Sequence, residues 1–461
     1  MPGEESYTRR VAEFVAGTRF QDLPPAAVAA ARLHILDALG IALRAFASGH
    51  ALIRALCDSA APAAAGDEAT IVGAGRRVAC LDAAMANAVM ANFLDSSDGH
   101  YLGGHINDRL VPVALAAGER AGASGRDLLA AVAVGYEVYI ELARALFGQA
   151  EPSPDRPPHF VMLGTLAGVA PAAQLLGLQA EQVAGAMGLA ASVQLGGAQY
   201  VLSGGHEKDF CPGHEARRAL FATLMAARGI LGSTDILEGE RGLLRVYGAP
   251  PAVPSELGRR YRITECYFKP YPACRYLHAS IEAAMNLKRE QGLQAEQVEG
   301  ATVTTNSSSA RRVSYEIKSH VNAIFSHPYQ VAVVLKEGRP DLPIAWRDKM
   351  RDPLIRDLLP RIRVRADPAY DALYARRSLE QPPWPAEVEV VMRDGRRHRS
   401  QVLSPKGDPG NPMSPREVQG KFQAFTAGVL SPQRAAQIIE TIDHLERVPR
   451  VSELVDLLAI P

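Results

Sequence analysis

Gln297-Val298-Glu299-Gly300-Ala301-Thr302-Val303-Thr304 alternates at period two, the pattern of a strand with one buried face. Arg361-Ile362-Arg363-Val364-Arg365 and Glu387-Val388-Glu389-Val390 repeat it, and Asp394-Gly395 reads as a hairpin turn. The first 250 residues have another texture and read as mostly α. From Asp22-Leu23-Pro24-Pro25, with a proline placed for a first helical turn, apolar residues recur at helical spacing through Asp37 to about Arg44. Further helices are expected near 80–93, 109–122, 125–148, 161–177, 180–192 and 214–229, most of them separated by short Gly, Ser or Asp clusters, as in antiparallel neighbours. Prolines cluster at 382–385 and 405–415; Ser414-Pro415-Arg416-Glu417 then combines a capping box with a proline at the first helical position, and 415–457 is helical again. A helical block, an α+β insert and a helical tail imply that the tail returns to the first block. The expected fold is mainly α with an α+β second domain. An all-α helical domain over 1–262 is completed by 411–461, a smaller α+β domain spans 263–410, and the cleft between them is the default ligand site.

The chain has 461 residues, about three times a common domain length, so a large core is available. It is 47% hydrophobic and 6% aromatic, which excludes disorder as the main state and favours close-packed helices. Fifty basic and fifty acidic residues cancel, so no global field draws the chain to nucleic acid or an anionic membrane. A small-molecule enzyme fits better. Cys57, Cys80, Cys211, Cys266 and Cys274 are odd in number, widely spaced and without a CxxC pair, against a disulfide framework or a thiolate metal site. With no apolar h-region in residues 1–10, a cytoplasmic protein is expected. The uncharged run 160–180 contains Gly164 and Gly168 in a GxxxG arrangement, yet Pro171, Gln174 and several alanines make a buried bundle helix the better reading than a membrane span.

Chemistry concentrates in three polar clusters. The densest runs from Asp95-Ser96-Ser97-Asp98-Gly99-His100 through His105-Ile106-Asn107-Asp108-Arg109 between two helical segments. Its carboxylates and imidazoles suit proton transfer near neutral pH, and its glycines allow close backbone approach; alternatively, Asp98 and Asp108 cap helices and the histidines are solvated. A metal site from Asp95, His100 and His105 is a rival without HExxH-like spacing. Lys208 lies in the Gly-rich approach to a helix, suited to an anion or simply paired with Glu207 or Asp209. Lys269-Pro270-Tyr271-Pro272-Ala273-Cys274-Arg275-Tyr276-Leu277-His278 sets three cationic or potentially cationic groups on a stiffened backbone, as carboxylate recognition requires, or forms an interdomain linker. Cys274 reads as a packed residue and His327 as structural, while His159, near a helix N-terminus, suits a neutral base or a cap. Gly73-Ala74-Gly75 lacks the third glycine of a dinucleotide fingerprint, and neither a Walker lysine nor a G-x-S-x-G elbow occurs.

These segments resemble the MmgE/PrpD family, which includes 2-methylcitrate dehydratase, cis-aconitate decarboxylase and iminodisuccinate epimerase. The likeness spans nearly the whole chain: Asp22-Leu23-Pro24, Ile35-Leu36-Asp37-Ala38-Leu39-Gly40, the Asp95 loop with His105, Gly135-Tyr136-Glu137-Val138, Leu175-Leu176-Gly177-Leu178, Lys208, Ile236-Leu237-Glu238-Gly239, Lys269 to His278, and Asn411-Pro412-Met413-Ser414. The resemblance implies a large all-α domain with an inserted α+β lid, usually in a homodimer, and cofactor-free, metal-independent acid/base chemistry on small polycarboxylates. It implies catalytic roles for Asp95, His105, His159, Lys208 and Lys269, and substrate contacts from His100, Tyr271, Arg275 and His278. Dehydration by a lyase is the first expectation, epimerisation or decarboxylation of a similar polycarboxylate the alternative. Many relatives carry Asp-Phe-Asp-Asp-Thr-His where this chain has Asp95-Ser96-Ser97-Asp98-Gly99-His100, so a catalytically reduced carboxylate-binding protein is a further alternative. A metal-dependent hydrolase using Asp95, His100 and His105 is the remaining one.

Overall fold

The computed structural model describes residues 6–64, 68–147, 160–192, 199–250, 256–375 and 384–460. Helices α1 (Tyr7–Gly17), α2 (Pro25–Ala47) and α3 (Ala51–Asp58) come first, followed by a hairpin of β1 (Glu68–Ile71) and β2 (Arg76–Ala79). Then come α4 (Cys80–Phe93), α5 (Asn107–Ala121), α6 (Gly125–Phe147), α7 (Phe160–Leu175), α8 (Ala180–Ala190), α9 (Tyr200–Ser203) and α10 (Glu207–Ala226). Buried apolar side chains between Tyr7 and Cys266 form one core, which Phe422 to Leu458 of the C-terminal helices join. A second core runs from Ala273 to Val402. The protein is thus a large helical unit with a smaller α+β unit.

Small residues set the helix spacing. α2 is 23 residues long and apolar enough to cross a membrane, yet 72% of its most apolar window is buried inside the protein, as a helix apolar on all sides requires. Gly40 of α2 faces Phe422 of the Pro415–Thr426 helix, where a Cβ would lie 2.9 Å from the ring. Gly168 of α7 faces Ala219 of α10 at 2.7 Å, so the GxxxG run is an internal packing surface. The Pro415–Thr426 helix starts with the expected capping box: Ser414 Oγ accepts from Glu417 N, and the Glu417 carboxylate accepts from Ser414 N at 2.7 Å.

The second core lies against a four-stranded sheet in the order β4 (Ile362–Ala366), β3 (Val298–Thr305), β5 (Ala386–Met392), β6 (Arg397–Val402). β3 pairs parallel with β4 and antiparallel with β5, and β5 pairs antiparallel with β6 across the Asp394-Gly395 turn. Ala386, Val388, Val390 and Met392 point inward, and the His278–Gln291 helix packs on β5 and β6. His327 is locked between Ser280 Oγ at 2.8 Å and Ser309 Oγ at 3.0 Å, a structural histidine. Two elements depart from the sequence reading. Gly73 and Gly75, both at positive φ, turn the β1–β2 hairpin, whose four-residue strands are too short to reveal a period. Helix α10 begins at Glu207, ahead of the expected 214, because Pro212 falls within its first two turns and Glu207 and Asp209 favour the positive helix end.

Candidate active site

Three separate segments deliver charged side chains to one buried point. Asp95 follows the C-cap of α4 with φ of 50°, the one non-glycine residue at positive φ among the described residues. An aspartate adopts this left-handed conformation more readily than most residues, and here it turns carbonyl and carboxylate toward one partner. Lys269 Nζ donates to the Asp95 carbonyl at 2.9 Å and to Oδ2 at 3.2 Å. Lys208, second residue of α10, places Nζ 2.9 Å from Asp95 Oδ1 and 2.9 Å from Asn92 Oδ1. His105 Nε2 stands 3.6 Å from Asp95 Oδ1. Asp95, Lys208 and Lys269 are all buried.

Backbone pairing aligns Lys269. Gly99 N donates to the Tyr267 carbonyl at 3.2 Å and Tyr267 N returns a bond to the Gly99 carbonyl at 2.9 Å, so Lys269 follows two residues beyond a fixed bridge. A Cβ at Gly99 would lie 2.4 Å from the Gly104 carbonyl oxygen and 2.5 Å from the Tyr267 hydroxyl. This close approach is why glycine occupies the position where many relatives carry threonine. On the other side, Phe268 N donates to the Gly407 carbonyl at 3.2 Å. The loop's far end is capped by Asp98, whose Oδ1 accepts from Asn107 N at the start of α5 at 2.8 Å and whose Oδ2 meets the Tyr136 hydroxyl and His34 Nδ1. Lys421 of the C-terminal helices donates to the Ser96 carbonyl at 2.6 Å and pairs with Asp37 at 2.6 Å.

A relay orients His105. Ser97 Oγ donates to Asp108 Oδ2 at 3.2 Å and lies 2.7 Å from His105 Nδ1. With the hydroxyl proton directed at Asp108, Nδ1 is the donor to Ser97, and the lone pair resides on Nε2, the nitrogen nearer Asp95. Asp108 is held in turn by Arg109 Nη1 at 2.6 Å, and Arg109 Nε reaches Glu215 at 2.7 Å. Gly164 of α7 admits this pair, since a Cβ there would overlap the Glu215 carboxylate.

The electrostatics separate the groups. Burial and the Lys269 ammonium push the His105 imidazole down to about 3, so it is neutral at pH 7. Burial alone would raise Asp95, but Lys208 and Lys269 hold its carboxyl well below the usual range. Burial lowers Lys269 despite the pull of Asp95, whereas for Lys208 the attraction of Asp95 and Asp209 outweighs burial and raises it. Two ammonium groups against one carboxylate leave one positive charge, a site ready for an anion.

Of the residues singled out in the sequence, Asp95, His105, Lys208 and Lys269 meet here, and His159 lies outside the described residues. The other four have partners elsewhere. His100 turns its Nε2 toward Glu265 at 3.9 Å, so Asp95, His100 and His105 do not gather as a metal set. Arg275 is held by Asp408 and lies 2.9 Å from His278 Nδ1, while His278 Nε2 lies 3.1 Å from the Ala273 carbonyl. Tyr271 packs on the His278 ring at 5.2 Å and bonds Glu282. These contacts brace the segment carrying Lys269 against the 405–408 turn. Cys274 is buried beside it, its thiol pushed up by burial. Asn92, Ser97, Asp108 and Arg109 complete the site; a serine eight residues before a histidine carries no signal at sequence level, and only the loop's closure makes them neighbours.

Comparison with known proteins agrees with this arrangement. Residues 9–255 match the MmgE/PrpD N-terminal domain and residues 271–447 the MmgE/PrpD C-terminal domain. The human cis-aconitate decarboxylase is 25% identical over 405 residues, covering 82% of this chain and 79% of its own. The mouse enzyme of that name is 24% identical over 478 residues, covering 99% and 94%, and that of Aspergillus terreus 24% over 428 residues, covering 85% and 84%. With both domain models matched in order across most of its length, the chain belongs to the MmgE/PrpD family.

Proposed function

We propose that this protein is a lyase that moves protons on a small di- or tricarboxylate, and that dehydration is the reaction its site suits best. The observation that carries the reading is the buried cluster of Asp95 between Lys208 and Lys269 with a neutral, Ser97-oriented His105 at its edge. A substrate carboxylate settles against the Lys208 ammonium. His105 Nε2 takes the proton from the carbon α to that carboxylate, and the electron pair moves into the carboxylate as enediolate charge that the ammonium groups stabilise. The β C–O bond then breaks and the C=C bond forms. Lys269, made more acidic than an ordinary lysine by burial, donates a proton to the departing hydroxyl, which leaves as water. The proton on His105 afterwards restores Lys269, closing the balance without a redox partner.

Decarboxylation is the second reading, favoured by the named activity of the human, mouse and fungal relatives. In it a C–C bond to a carboxylate breaks, CO2 departs, and Lys269 delivers the proton to the carbanion. One experiment separates the two. The purified chain is incubated in heavy water with citrate-like hydroxy-acids and with cis-aconitate, following deuterium at carbon, alkene absorbance and CO2. Alkene formation from a hydroxy-acid supports dehydration, and CO2 release supports decarboxylation. Thermal stabilisation by these acids with no product of either kind would assign a binding role and overturn the lyase reading. So would full activity of the Lys208→Ala/Lys269→Ala double variant.

A further inference from the structure

A second polar cluster lies on the far side of the same turn of α10. Lys208 points inward to Asp95, whereas its neighbour Asp209 points to two histidines from different parts of the chain. His206, the N-cap of α10, places Nδ1 2.9 Å from Asp209 Oδ2. His320, first residue of the His320–Ile324 helix, places Nε2 3.1 Å from both Asp209 oxygens. One ligand atom from each of the three lies within 4.8 Å of the others. Asp209 and His320 are buried, while the His206 side chain is 50% exposed. His50 and Phe93 wall the cluster: the His50 ring lies 5.7 Å from His320 and 4.9 Å from Phe93.

We propose that His206 Nδ1, Asp209 and His320 Nε2 bind one divalent transition-metal ion of the zinc type. Two imidazoles and one carboxylate are the donors such ions prefer, whereas Mg2+ and Ca2+ take oxygen ligands. An ion about 2.0–2.2 Å from each donor in a tetrahedral arrangement sets the donors roughly 3.3 Å apart. The observed 2.9 and 3.1 Å contacts need only small outward shifts. Three protein ligands leave a fourth position, on the exposed side of His206, for water. The ion sits apart from the proton-transfer cluster and ties α10 to the His320–Ile324 helix, beside the second core.

The test uses the full chain, free of any histidine tag and dialysed against chelator. ZnCl2 is titrated by calorimetry and CoCl2 by visible absorption, with thermal melting before and after. The expected result is one equivalent of Zn2+ bound, a tetrahedral cobalt spectrum and a raised melting temperature. His206→Asn and His320→Asn should each weaken binding by at least about 100-fold, the upper end of the loss seen when groups supporting a ligand are removed. His206 is half exposed, so His206→Asn tests the site without disturbing the core, and its far-UV circular dichroism should match that of the parent. No saturable uptake, or one equivalent still bound by the His206→Asn/His320→Asn double variant, would overturn the proposal.

Discussion

Replacing Asp95 by Asn keeps the side chain's shape and deletes its charge. Lys208 and Lys269, 2.9 and 3.2 Å from the two oxygens of that carboxylate, would then face each other in a buried site with no counter-charge. Two unit charges about 4 Å apart interact by about 4 kcal/mol at an effective dielectric constant of about 20. Removing one partner of a buried ion pair costs about 3–5 kcal/mol. The two figures agree, so Asp95→Asn should destabilise the fold by about 3–5 kcal/mol, against about 1 kcal/mol for a typical substitution. At about 2 °C per kcal/mol, the scale of large domains, melting should drop by roughly 6–10 °C. The assay is calorimetric melting of parent and variant at pH 7 in about 0.15 M chloride, with and without a tricarboxylate. A second signature is specific to the proposed site: the anion should stabilise the variant more than the parent, because its carboxylate can enter where Asp95 stood. Adding Lys269→Met to Asp95→Asn should recover part of the loss, giving a coupling above about 1 kcal/mol in the double-mutant cycle. A variant melting within a degree or two of the parent, or a cycle that closes additively, refutes the view that these charges form one unit.

Ser97→Ala removes the partner of His105 Nδ1 at 2.7 Å and should lower kcat on the carboxylate that is turned over by about 10–100-fold with little change in KM. A variant losing affinity and keeping kcat would remove Ser97 from the relay. Gly99→Thr places side-chain atoms 2.4 Å from the Gly104 carbonyl and 2.5 Å from the Tyr267 hydroxyl, and should cost about 1–3 kcal/mol in urea unfolding while weakening carboxylate binding through the displaced Lys269. His105 and His327 are each pushed by burial from 6.5 to about 3. Below pH 6.5 the unfolded chain binds protons that the folded chain refuses, so stability is full above 6.5 and falls toward pH 3. Each histidine contributes up to about 1.4 kcal/mol per pH unit within that window. Urea midpoints at pH 7, 6 and 5 should decline, and His327→Gln should flatten the decline; equal slopes would contradict a neutral buried ring.

Sequence patterning revealed the fold class because periodicity reports burial directly. The alternation in 298–305 and 386–392 and the capping box at Ser414 each describe a local choice that tertiary packing left in place. The hairpin at 68–79 escaped because four-residue strands carry less than one clear period. The start of α10 escaped because Pro212 and nearby glycines read as a loop, although Pro212 lies only five residues past the start of the helix. The site was legible where a charged side chain is buried, as with Lys208 and Lys269. It was opaque where the partner is a short polar residue or a main-chain carbonyl. Arg275 shows the converse: a guanidinium on a proline-stiffened segment looks like a substrate clamp until the 405–408 turn arrives to occupy it.

Lys421 holds the Ser96 carbonyl and Asp37 from a helix near the C-terminus, 325 positions along the chain from the loop it steadies. Domains tend to fold as units from the N-terminal side during synthesis. Yet here the first helices to leave the ribosome cannot secure their own proton-transfer loop until almost the whole polypeptide has been made. A nascent chain in which α2 and α4 have already packed therefore carries an unfastened loop, and competence arrives late, with the last helices to dock.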